Sequence, residues 1–185
     1  MSTAPAREQV GLVQVTEKVL DVAQHLAAVE DPQCGAVTTF IGQVRDHDPE
    51  VPGTVTSISY SAHPDAQQVL ERLVAEMVDG GAPPAGAGIA DGGGSPADGP
   101  SLGGGHSPDD EDAGQEPALT PVRIAVSHRI GELAVGDLAL VACVATPHRA
   151  QGFDICRTVV ERIKVELPVW KKQHTADGTS QWSGL

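Results

Sequence analysis

The chain has 185 residues, a formal net charge of −13 and few aromatic side chains, which make up 3% of the total. This length suits one domain, or one domain with an added segment. No stretch is apolar over a length that spans a bilayer, and residues 1–10 lack the apolar core of a signal peptide. We therefore expect a cytoplasmic protein without membrane contact. The chain also lacks an aromatic platform for nucleic acid.

The first part of the chain predicts two strands between two helices. Apolar residues recur at helical spacing over residues 16–30, with Thr16 as the capping residue. A β-branched run over residues 35–45 predicts a strand, and strict alternation over residues 55–62 predicts a second one. A second helix is expected to start at Pro64 and to end near residue 78.

Residues 79–120 differ in composition from the rest of the chain. They hold twelve of the 21 glycines and eight acidic residues, and no lysine or arginine. Such a segment buries too little apolar surface to offset the entropy of ordering it. We predict a single domain formed by residues 1–78 and 121–185, interrupted by an acidic, Gly/Pro-rich disordered insertion at residues 79–120.

The second part of the chain predicts more strands and a long helix. Residues 122–128 form a strand, residues 131–136 a turn, and residues 137–146 a nearly continuous apolar strand that should be central. A helix follows over residues 152–167, and residues 169–172 read as a short edge strand. Short turns between consecutive strands favour an antiparallel or mixed sheet with helices packed on it, which is the α+β class.

Cysteines and histidines carry little evidence of chemistry. The three cysteines stand at wide spacings without a CxxC pair, which predicts neither a disulfide framework nor a structural zinc site. Cys143 lies in the apolar strand, and Cys156 lies with Phe153 on the predicted buried stripe of the last helix, so both cysteines should be core residues. No HExxH or HxH spacing and no phosphate-binding glycine motif occurs, and we predict no metal site and no cofactor.

Basic residues gather around the last predicted helix. Glu161 and Lys164 lie on its polar face, Lys171 follows its end, and His148 and Arg149 precede it. One interpretation is a solvated face with a Glu161–Lys164 or an Arg157–Glu161 ion pair of little energetic consequence. The other is a pocket for a phosphate or carboxylate, in which arginine grips the anion and lysine acts as a point charge or proton carrier.

Four motifs resemble those of the large subunit of molybdopterin synthase, in the same order and at similar spacing. They are FIGQVRDH from Phe40, HRIGELAVGD from His128, PHR from Pro147, and RIK from Arg162 followed by PVWKK. The resemblance covers roughly residues 10–78 and 121–182. It implies an α/β-hammerhead-like arrangement of the α+β fold, and residues 79–120 are not part of the family's common core.

The resemblance implies a sulfurtransferase of molybdenum cofactor biosynthesis. Family members form a homodimer of large subunits with one small ubiquitin-like subunit at each end, a heterotetramer. The Gly-Gly tail of the small subunit carries a thiocarboxylate, and two sulfur transfers convert cyclic pyranopterin monophosphate into the molybdopterin dithiolene. By motif position, the catalytic residues are Lys164 and Lys171. The substrate-binding residues are Arg45, His148, Arg149 and Phe40.

Two other hypotheses remain open. One is a non-catalytic module that binds an anionic small molecule or a protein tail through the same basic pocket. The other is a thiol enzyme built on Cys156. Lys164→Arg would preserve a binding module and damage a catalyst, because arginine keeps the charge but not the proton chemistry. Cys156→Ala would matter only for the thiol enzyme.

Overall fold

A computed structural model describes residues 10–49, 52–79 and 121–183. The predicted disordered insertion, apart from Asp79, lies outside these residues. In chain order the elements are β1 (Val10–Thr16), α1 (Val22–Ala28), β2 (Ala36–Gln43), β3 (Val55–Ala62), α2 (Ala66–Asp79), β4 (Arg123–Arg129), β5 (Gly131–Ala134), β6 (Leu138–Thr146), α3 (Arg149–Glu166), β7 (Val169–Thr175) and β8 (Ser180–Ser183).

The first sheet has four strands in the order β1-β4-β6-β2. β1 runs parallel to β4 and the other two pairings are antiparallel, so this sheet is mixed. β6 lies between β4 and β2, and its side chains are buried from Ala139 to Thr146. The nearly continuous apolar run therefore is a central strand, as predicted, and the α+β class is confirmed.

The second sheet has the order β5-β3-β7-β8 and is antiparallel throughout. β7 is an inner strand of this sheet, so the prediction of a short edge strand is wrong. The chain reverses at Gly178, whose φ of +84° favours glycine, and returns as β8 beside β7. The predicted turn at residues 131–136 also contains a strand, β5, which pairs with β3.

α2 and α3 cover one face of the first sheet, and α1 covers the other. α2 and α3 pack against each other and against strands of this sheet, and the main core lies beneath them. Val126 and Ala142 point into that core, whereas Ala125 and Cys143 point to the opposite face, which α1 covers. This alternation follows from the twofold side-chain period of a strand.

α1 is shorter than the helix predicted over residues 16–30. It starts after Asp21, whose Oδ1 accepts hydrogen bonds from the backbone N–H groups of Ala23 at 2.8 Å and Gln24 at 3.3 Å. Thr16 instead ends β1, which pairs with β4. The prediction of Thr16 as the cap is wrong because this partner strand lies more than one hundred positions further along the chain.

α3 begins earlier than predicted and presents a different face to the sheet. Phe153 is 61% exposed, so its assignment to the buried stripe is wrong. Gly152 sets the orientation of the helix, because a Cβ at this position would lie 2.8 Å from Thr38 Oγ1 and 2.9 Å from Thr146 Oγ1. The buried residues of α3 are Gly152, Ile155, Cys156, Val159, Val160 and Ile163.

Candidate active site

Lys171 is held near the start of β7 by a carboxylate. Its Nζ lies 3.2 Å from Oδ2 of Asp48, and the same oxygen accepts a hydrogen bond from Nε2 of Gln173 at 2.9 Å. The side chains of Asp48 and Lys171 are only 10% and 21% exposed. Lys171 and Gln173 are two positions apart in a strand, so their side chains project from the same face. The ammonium group therefore has a defined position in a largely dry setting.

Tyr60, the cross-strand neighbour of Lys171, forms an aromatic pair with His128. Tyr60 on β3 is directly opposite Lys171 on β7, which places both side chains on one face of the sheet. The Tyr60 ring meets the His128 ring edge-on, with 5.2 Å between the ring centroids. Burial raises the pKa of the Tyr60 phenol and lowers the pKa of the His128 imidazole. Both rings are thus neutral near pH 7, so Tyr60 presents no charge to its cross-strand neighbour Lys171.

Lys164 occupies the exposed face of α3. Its Nζ lies 3.9 Å from Oε1 of Glu161, and the two side chains are 56% and 58% exposed. The Glu161–Lys164 pair of the solvated-face interpretation is therefore present. At this distance and exposure it contributes little stability and does not fix the lysine. Lys164 remains accessible to a ligand.

His148 and Arg149, here called the helix-start pair, stand exposed where α3 begins. The His148 side chain makes no capping hydrogen bond, while its carbonyl accepts one from Thr146 Oγ1 at 3.0 Å. The close packing at Gly152 anchors this first helical turn on the sheet. Free N–H groups at a helix start favour anions, and an arginine beside them adds a bidentate donor. The pair can therefore grip a phosphate.

Arg45 and Phe40 belong to β2 and the loop after it. Phe40 is half-buried against the main core, and Arg45 is exposed just beyond the end of the strand. β2 begins opposite Thr146, which lies next to the helix-start pair. Arg45 follows the other end of β2, about 25 Å away for eight strand residues. The first sheet thus separates Arg45 from the helix-start pair.

α3 separates the lysines from the helix-start pair in the same way. Arg149 and Lys164 are fifteen positions apart in the helix, which is about 22 Å along its axis. Lys171 follows the far end of α3 and is bound to Asp48, in the loop that contains Arg45. One chain therefore presents its candidate cations at two ends, with Lys164, Lys171 and Arg45 at the end remote from the helix-start pair.

Two of the three cysteines lie in the core. Cys143 and Cys156 are buried, and burial raises the pKa of both thiols. The interpretation of these residues as small core side chains is confirmed. A raised pKa and a buried position are the opposite of what a thiol nucleophile requires, which argues against the thiol-enzyme hypothesis.

Sequence reasoning missed three residues around Lys171, namely Asp48, Gln173 and Tyr60. Gln173 carried a usable signal, since it stands two positions after Lys171, but the predicted strand stopped one residue too early. Asp48 stands in a loop, and no local pattern gives the direction of a loop side chain. Within the described ranges, no cluster of His, Cys, Asp or Glu is arranged to hold a metal ion, and no helix is long and apolar enough to cross a membrane.

The fold and this site define an α+β protein with an amine-based, anion-binding candidate active site. A family model described as "MoaE protein" matches residues 15–82 and 112–166. The chain is 32% identical over 171 residues to molybdopterin synthase catalytic subunit 1 of Mycobacterium tuberculosis, covering 92% of this chain and 89% of that protein. The chain belongs to the MoaE family of molybdopterin synthase catalytic subunits. It is a sulfur-transferring enzyme of molybdenum cofactor biosynthesis.

Solved structures share the fold. Molybdopterin synthase from Staphylococcus aureus matches with a TM-score of 0.65 and 23% identity, covering 92% of this chain and 96% of that one. A complex of subunits 1 and 2 of the molybdopterin-converting factor from Helicobacter pylori matches with a TM-score of 0.56 and 14% identity, covering 94% and 89%. The family match leaves out residues 83–111, which lie inside the predicted insertion.

Proposed function

We propose that the chain transfers two sulfurs from the C-terminal thiocarboxylate of a small ubiquitin-like subunit to cyclic pyranopterin monophosphate, with Lys171 and Lys164 as its catalytic cations. The observation that carries this proposal is the ammonium of Lys171, fixed 3.2 Å from Asp48 in a largely dry setting. The thiocarboxylate and the substrate phosphate are both anionic. Fixed positive charge in a partly dry site stabilises developing negative charge far better than the same charge in water.

The helix-start pair suits the substrate phosphate, with Arg45 binding from the lysine end. A separation of about 22 Å prevents one chain from closing Arg149 and Lys164 on the same small reactant. The family resemblance implies a homodimer, and a symmetric dimer can bring the start of one α3 to the lysine end of the other copy. We therefore assign the phosphate grip at each site to the helix-start pair of the second copy.

The sulfur donor is a separate chain. The complex from Helicobacter pylori contains subunits 1 and 2 of the converting factor, and the fold of one of its chains matches this chain. We propose that two small subunits bind the homodimer to form a heterotetramer, with each Gly-Gly tail ending at Lys171 and Lys164. The cytoplasmic location remains a prediction of the sequence.

Reconstitution tests this function. The chain is mixed with a thiocarboxylated small subunit and cyclic pyranopterin monophosphate, and molybdopterin is measured. The wild-type chain should form molybdopterin, and Cys156→Ala should match it per folded molecule. Lys164→Arg should bind the small subunit normally and lose most turnover. Absence of product with the wild-type chain contradicts the proposal. Full turnover by Lys164→Arg would show that Lys164 is not a catalytic residue that needs lysine chemistry.

A further inference from the structure

We infer that Asp48 is a positioning residue for sulfur transfer: its carboxylate fixes the ammonium of Lys171 at the point from which it acts on the reacting groups. The inference rests on the proposed catalytic role of Lys171 and adds the residue through which the chain controls that lysine.

A lysine side chain needs such a partner to act as a fixed charge. Its four-carbon stem is flexible, and its compact ammonium has no preferred direction of its own. β7 fixes only the backbone and Cβ of Lys171. The carboxylate of Asp48, 3.2 Å from Nζ, fixes the far end of the same side chain. Both ends of the stem are then defined before any ligand arrives.

Asp48 is itself held in place. Its Oδ2 accepts a hydrogen bond at 2.9 Å from Nε2 of Gln173, a residue that is 2% exposed. Gln173 pairs in register with Ile58 on β3 and with Gln181 on β8, so its position is set by the inner strand of a sheet. The sheet therefore fixes Gln173, Gln173 holds the carboxylate of Asp48, and Asp48 holds the ammonium group of Lys171.

Stability alone is a poor reason for this arrangement. Withdrawing an ion pair from water costs solvation energy, and apolar residues of similar volume often stabilise a fold as well or better. What an ion pair in such a setting adds is a defined position for each charge. A fixed cation is valuable where negative charge develops at one point during a reaction, because no reorganisation is then needed.

A second ion pair in the same chain provides a matched control. Arg123 Nε lies 2.7 Å from Oδ2 of Asp31, with side chains 25% and 6% exposed, and it joins β4 to the loop after α1. Its degree of burial is similar, but it involves none of the candidate site residues. Asp31→Asn should therefore affect stability like Asp48→Asn and leave turnover unchanged.

The test is a double-mutant cycle on molybdopterin formation by the complex with the thiocarboxylated small subunit. Asp48→Asn should lower kcat by about tenfold to hundredfold with little change in KM for the pyranopterin, because the lost orientation matters in the transition state. In the Lys171→Ala background, Asp48→Asn should change kcat by less than about twofold, since a positioning residue has no effect once its target is gone. Gln173→Leu removes the hydrogen bond that holds Asp48 and should lower kcat to a smaller extent. This variant tests the same inference if Asp48→Asn does not fold.

Three results would overturn the inference. If Lys171→Ala loses most of its turnover but Asp48→Asn turns over normally, the positioning role fails and the proposed function stands. If the losses from Asp48→Asn and Lys171→Ala multiply, Asp48 acts independently of the lysine. If Lys171→Ala turns over like the wild-type chain, the catalytic assignment of Lys171 fails and the positioning role fails with it.

Discussion

The two candidate catalytic lysines are seven positions apart in sequence and lie in contrasting settings. Lys171 extends from an inner strand, faces the partly dry side of its sheet and is bound to Asp48. Lys164 extends from the outer face of α3 and has only a loose contact with Glu161. The same residue type therefore supplies two kinds of charge, one fixed before binding and one free to move toward a ligand.

This difference arises from secondary structure. Alternate side chains of an inner strand lie on the core side of the sheet, where polar groups of neighbouring elements can contact them. A residue on the outer face of a helix meets water and its own i±3 and i±4 neighbours, whose ion pairs are weak. A fixed cation suits stabilisation of charge at one point, and a mobile one suits reaching the arriving tail or carrying a proton.

The largest expected effects are those of replacing either candidate lysine by alanine. Both replacements should lower turnover, but only the one at Lys171 should also lower stability. Lys164→Ala should abolish or nearly abolish molybdopterin formation and change the free energy of unfolding by less than about 0.5 kcal/mol, because it removes an exposed side chain. Lys171→Ala should lower turnover by about a hundredfold to a thousandfold, to a small residual rate that can still be measured. It should also lower stability by about 1–3 kcal/mol, since the carboxylate of Asp48 loses its charged partner. Product assays and urea unfolding measure both quantities. Wild-type turnover in Lys164→Ala would remove it from the active site.

Arg149→Glu tests whether the two ends of the chain meet across a dimer. The variant should weaken capture of the substrate phosphate and of the thiocarboxylate tail without unfolding the protein, because it reverses charge at an exposed position. Equal amounts of Arg149→Glu and Lys171→Ala, unfolded and refolded together, should recover about a quarter of wild-type activity. Half of the dimers are then mixed, and each mixed dimer has one site with both residues intact.

The matched controls are each variant refolded alone. A mixture that shows no more activity than these controls would mean that Arg149 and Lys171 do not serve a common site across the dimer. Small-subunit binding, measured with and without its last two glycines, separates loss of tail capture from loss of phosphate binding.

Gly152→Ala tests how the helix-start pair is held. Its new methyl group would lie under 3 Å from the hydroxyls of Thr38 and Thr146, so the start of α3 must shift away from the sheet. We expect a loss of about 1–3 kcal/mol from overpacking, although alanine is the better helix former. Ala150→Ser, on the exposed side of the same turn, is the control and should change stability by less than about 0.5 kcal/mol. A more stable Gly152→Ala would contradict this packing.

The smallest effect concerns the turn between β7 and β8. Asp177 accepts hydrogen bonds from Thr175 Oγ1 at 2.7 Å and from the N–H and Oγ1 of Thr179 at 2.9 and 2.8 Å, which lowers its pKa to about 2. An unfolded aspartate titrates near 3.9. The stabilisation is therefore present above about pH 4 and is lost as the pH falls toward 2. Asp177→Asn should be less stable than wild type at pH 7 by a margin that disappears near pH 2 in urea unfolding, whereas a constant margin would contradict this role.

The elements predicted correctly are those whose residue pattern is visible within a short stretch of the chain. The alternation over residues 55–62 corresponds to β3, and the apolar run before Thr146 corresponds to β6. β1, β5 and β8 were missed because each is short or weakly patterned and depends on a partner strand for its stability. Phe153 was misassigned because the orientation of α3 is set by a contact at Gly152 with two threonines distant in sequence.

The candidate site was predictable in its residue types but not in its geometry. The motifs gave Lys164 and Lys171 as a pair, and nothing in their spacing distinguishes a fixed lysine from a mobile one. That distinction depends on Asp48, whose side chain approaches Lys171 from 123 positions away in the chain. The separation of Arg149 from Lys164 follows from helical rise alone, once the helix is known to be continuous.

The central claim is that, of the two candidate catalytic lysines, Lys171 has an ammonium group that is fixed before any ligand binds and Lys164 does not. Order parameters from 15N relaxation of the lysine Nζ groups test it most directly, and the chain has only four lysines to assign. In the free protein, the Nζ of Lys171 should be markedly more ordered than that of Lys164, which should resemble the exposed Lys18. Equal, low order at Lys171 and Lys164 would contradict the claim.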